Sequence, residues 1–186
     1  MFGFFKRLLA QKNAVADDIA LLLDGEDRKW RAMNSEELLA LDDTELVSAA
    51  ISRVYGVFGS CEDEDSKMSL LNEPQRVFYV AYIYESEVNN GGLCQYLSND
   101  SGFSAPILGA ALETIGDTAH RAHFLAFISD NAIDLGHLDT FGKEAIKRFE
   151  CLEKRYPFEA FDDVFYEMAS LETLMASYIR ANIKSF

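Results

Sequence analysis

Apolar residues in this chain recur at spacings of three and four far more often than in strict alternation, the signature of helices rather than strands. Leu46, Ala49 or Ala50, Arg53-Val54 and Val57 form one such stripe. They predict a helix capped by Asp42 or Asp43 and closing near Gly59. Asn34 or Ser35 ahead of Glu36-Glu37 predicts a brief helix through Leu41, and a short apolar helix is expected over 17–23, before Asp24-Gly25. Pro74 suits the first turn of a helix running to about Asn89. The body of that helix, Val77-Phe-Tyr-Val-Ala-Tyr-Ile-Tyr84, is apolar on nearly every face. Such a helix is packed on several sides, so it is predicted to be the central one. Further helices are expected over 93–98, 106–115, 118–129 and 140–154. A long last helix follows the Tyr156-Pro157 break, capped by Asp162 or Asp163 and buried along Val164, Met168, Leu171, Met175 and Tyr178. The expectation is an all-α protein: a helical arm over 1–33, then one compact domain over 34–186, about eight helices around the segment 74–89.

Composition agrees with a packed core. The 186 residues are 49% hydrophobic and 12% aromatic, which excludes a disordered chain. The longest apolar runs, 77–84 and 105–112, fall far short of the ~20 residues that cross a bilayer. At the start, Gln11-Lys12-Asn13 cuts the apolar run before a signal-peptide core of adequate length. Cys61, Cys94 and Cys151 lack metal-binding spacing and read as reduced thiols. A cytoplasmic location is expected.

Charge changes the picture more. The formal net charge is −14, and no Lys or Arg occurs between Arg76 and Arg121, a window that still holds Glu85, Glu87, Asp100, Glu113 and Asp117. A surface built from that window repels nucleic acid and attracts basic proteins. The run Glu62, Asp63, Glu64 and Asp65 lacks the ligand spacing of a calcium loop, so 60–66 is expected to be a solvated loop.

The most distinctive stretch is Glu87-Val-Asn-Asn-Gly-Gly-Leu-Cys-Gln-Tyr-Leu-Ser-Asn-Asp-Ser-Gly102. Asn89, Asn90, Gly91 and Gly92 favour a sharp turn and an immediate helix restart. Glu87, one turn earlier, is placed to accept amides of the restarting helix. Asn99 to Gly102 repeats the turn chemistry. This stretch resembles the signature of a bacterial domain-of-unknown-function family whose best-described member is a DNA mimic protein. The shared positions are Glu87, Val88, Asn89, Asn90, Gly91, Gly92, Gln95, Tyr96, Asn99 and Gly102, while Leu93 and Leu97 stand where the family usually has Phe. The resemblance covers about 35–185. It implies an all-α fold and, by analogy with the DNA mimic, an acidic surface that occupies the DNA-binding face of a basic regulatory protein.

Catalytic signatures are scarce. His120 and His123 share a helix face without the His-Glu-x-x-His zinc pattern, His137 stands alone after Gly136, and exposed or capping roles are expected for all three. Cys94 lacks an evident His partner, and phosphate-binding glycine loops are absent from the sequence. The expectation is therefore a non-enzymatic interaction protein with no cofactor and no metal, binding a basic protein through Asp42, Asp43, Glu45, Glu62, Asp63, Glu64, Asp65, Glu113 and Asp117. A homodimer is compatible with the sequence. Two alternatives stand beside it: a small-molecule or metal-dependent enzyme centred on Glu87, Asn89 and Asn90, and a scaffold protein that binds through apolar surface.

Overall fold

The computed structural model describes residue 25 and residues 27–61, 64–138 and 155–186, with the side chains of Glu64 and Asp65 excepted. Among these residues all regular structure is helical. Helix α1 (Ser35–Leu39) opens with a reciprocal cap: the Asn34 side chain accepts the Glu36 and Glu37 amides, and the Glu37 carboxylate accepts the Asn34 amide. Helix α2 (Asp43–Phe58) is capped by Asp42, which accepts the Glu45 amide, and it ends at Gly59, whose φ is 56°. Helix α3 (Glu64–Leu70) begins inside the stretch expected to be a loop. Its backbone is already helical at Glu64, so 64–66 are not a loop.

Helix α4 (Glu73–Ser98) is the centre of the molecule, as its all-round apolar body predicts. Asn72 and Gln75 cap it reciprocally and Pro74 sits in its first turn. Phe78, Val80, Ala81, Tyr84 and Val88 are completely buried along it. After a short 3₁₀ turn (Asp100–Ser104), α5 (Ala105–Ile115) and α6 (Ala119–Asp130) run on, followed by a second 3₁₀ turn at Leu135–His137. Helices α7 (Phe158–Tyr166) and α8 (Glu172–Ala181) complete the core. Helix α4 packs on α2, α5, α7 and α8.

The single long last helix is not formed. Two helices take its place, with a break at 167–171, and Asp162 lies within α7 rather than capping it. The physical cause is a tie to the core: the Leu171 amide donates to the Glu85 carboxylate at 2.7 Å, which fixes the break against α4. The buried stripe of α7 is Phe158, Phe161 and Phe165, and Val164 points outward. The helices expected over 17–23 and 140–154 lie outside the described residues.

Of the expected arm, residue 25 and residues 27–33 are described, and 27–32 are helical. Trp30 is buried in the common core. The Arg53 guanidinium donates to the carbonyls of Trp30, Met33 and Phe186, which stitches three distant segments together. Burial lowers the Arg53 pKa from its ordinary value. Among the described residues, no helix is long and apolar enough to cross a membrane.

Candidate functional site

The glycine corner is a joint in α4. Gly91 is extended and Gly92 adopts φ 76° with ψ 175°, a combination that L side chains avoid. Glycine is needed at Gly92 for a second reason: a Cβ there would collide with the Asp162 carboxylate. At Gly91 it would collide with the Gln95 amide. The free amide of the restarting helix, Leu93 N–H, donates to Asp162 Oδ1 at 2.8 Å. The expected acceptor, Glu87, does something else. Its Oε2 accepts the side-chain amides of Gln95 at 2.8 Å and Asn99 at 3.0 Å, so one carboxylate clamps both halves of the kink.

The other signature residues have equally concrete roles. Tyr96 is completely buried, and its hydroxyl lies 2.8 Å from Ser104 Oγ. Ser104 Oγ already donates to the Ser101 carbonyl, so the Tyr96 phenol is the donor. Burial pushes the Tyr96 phenol well above its ordinary pKa. Gly102 lies against the Leu97 carbonyl, where a Cβ would intrude. Asn89 and Asn90 are exposed at the corner. The sequence thus brings Glu87, Gln95 and Asn99 together, and their hydrogen bonds are directed at one another. Nearby, Tyr84 Oη is the one buried side-chain polar atom without a hydrogen-bond partner among the described residues.

Beside the corner, a cleft of about 630 Å³ opens against α7, lined by Gly91, Cys94, Glu159, Asp162, Asp163 and Tyr166. Its carboxylates come from α7, and sequence reasoning missed them as a group. The available signal was a second gap: no Lys or Arg lies between Arg155 and Arg180. The two cation-free stretches meet here, because α4 packs on α7. Partial burial, followed by the Asp162 and Asp163 charges, raises the Tyr166 phenol pKa.

The carboxylates singled out from sequence lie in several places. Asp42 and Glu45 are exposed at the start of α2, where Asp42 is occupied as the cap. Asp43 pairs with Arg180 at 2.6 Å, and Glu113 with Arg121 at 3.2 Å. Glu62 and Asp63 lie outside the described residues, as do the side chains of Glu64 and Asp65. Asp117 corrects the expectation of a surface carboxylate: it is only 4% exposed. It is drawn inward because its Oδ1 accepts the Ala119 and His120 amides and its Oδ2 meets His120 Nδ1 at 2.5 Å.

The histidines do not converge on a metal. His120 is buried against Phe165 rather than exposed. His123 stacks on Phe161 and its Nε2 donates to the Phe161 carbonyl at 3.0 Å. His137 pairs with Asp134 at the surface. Among the described residues no group of three or more His, Cys, Asp or Glu is placed to hold a metal ion.

Fold and corner together define a class: an all-α protein with a kinked central helix, whose glycine joint is clamped by amides and carboxylates beside an acidic cleft. The chain belongs to the DMP19-like protein family, whose model matches residues 69–182, a span that contains the whole joint and helix α7, whose Asp162 meets it. No match was found among curated proteins or among solved structures.

Proposed function

We propose that this protein is a non-enzymatic acidic interaction partner that occupies the DNA-binding surface of a basic regulatory protein. The observation that carries this reading is the meeting of two cation-free stretches, 77–120 and 156–179, at the α4–α7 contact. Glu159 and Asp163 are exposed there, at the mouth of the cleft, with Asp100 exposed farther along the same cation-free window. B-DNA presents a charge about every 1.7 Å along its axis, so a competitor needs several carboxylates with no cation among them. The family supports the reading through the resemblance to a DNA mimic.

The corner itself serves as support rather than as chemistry. Glu87 spends its Oε2 on Gln95 and Asn99. A catalytic carboxylate at this position would instead face an open substrate site. The surface beside the corner is held in shape by the joint, and the partner reads the charge.

The experiment is capture of binding proteins from the native host at low and moderate salt, with the intact chain as bait. A basic protein is expected at low salt, with affinity falling steeply as salt rises. The Glu159→Gln/Asp163→Asn double variant should bind more weakly and with a shallower salt dependence. Recovery of no basic protein at either salt, or a double variant indistinguishable from the wild type, overturns the reading.

A further inference from the structure

We draw no further inference here: the strongest candidate, the outward face of α7 on which Glu159 and Asp163 stand exposed together with Val164 and Tyr166, belongs to the acidic surface already proposed for the partner, and no second observation in the structure points to what else would cover it.

Discussion

The same local device occurs twice in this molecule, with opposite surroundings. Asp117 and His120 are three residues apart, as are Asp134 and His137. In both, Asp Oδ2 meets His Nδ1, at 2.5 and 2.7 Å, and Asp Oδ1 accepts the amide two residues on. The first pair is sealed beneath Phe165, whereas the second stands in solvent on a 3₁₀ turn. Sequence spacing alone therefore builds the pair. Burial decides whether it becomes a structural anchor or a turn ornament that water can replace.

Four experiments would break or sharpen this contrast, and the largest effect comes from removing the cover. Phe165 is buried and its ring meets His120, Tyr84 and Phe161. Phe165→Ala should cost about 3–5 kcal/mol by urea denaturation, and it should bring the exchange rate of the His120 ring proton toward that of His137. Asp117→Ala strips two amides and one imidazole of their acceptor, and a loss of about 2–3 kcal/mol is expected in the same assay. Asp134→Ala, the matching change at the exposed pair, should leave the melting midpoint within replicate scatter. A comparable loss at both sites would refute the role assigned to burial.

The smallest effect is a titration. The His137 hydrogen bond, followed by the Gly136 amide, holds the Asp134 carboxyl below its ordinary value of 3.8. A group with a lowered folded-state pKa contributes stability above its unfolded value, and that stability is lost as pH falls through the lowered one. Carbon-detected NMR of Asp134 should therefore show a midpoint below 3.8, rising toward it in His137→Gln. An unchanged midpoint would reassign the shift to the turn backbone.

Much of the scaffold was legible because it follows local rules. The caps at Asn34 and Asp42 act within three residues, the position of Pro74 is fixed by its missing amide, and Gly91-Gly92 announces a turn, whereas the Asn72 cap emerged only in the structure. Features that depend on distant chain were not legible. The carboxylate at the Gly92 joint comes from Asp162 rather than the adjacent Glu87. The apolar stripe from Val164 to Met175 reads as one helix, and only the bond from Leu171 to Glu85 reveals the break. Asp117 reads as surface charge because nothing in its neighbours announces that Phe165 will cover His120.

The bond that closes the α4 joint also has a temporal side. Leu93 and Asp162 are 69 positions apart. At ribosomal speeds of ~5–20 residues per second, the donor is synthesised about 3 to 14 s before its acceptor exists. Through that interval the amide lacks its carboxylate, although Tyr96 on the same half of the helix can already meet Ser104. The newborn protein thus waits on its own carboxy-terminal third, which arrives as a latch on a hinge already cast.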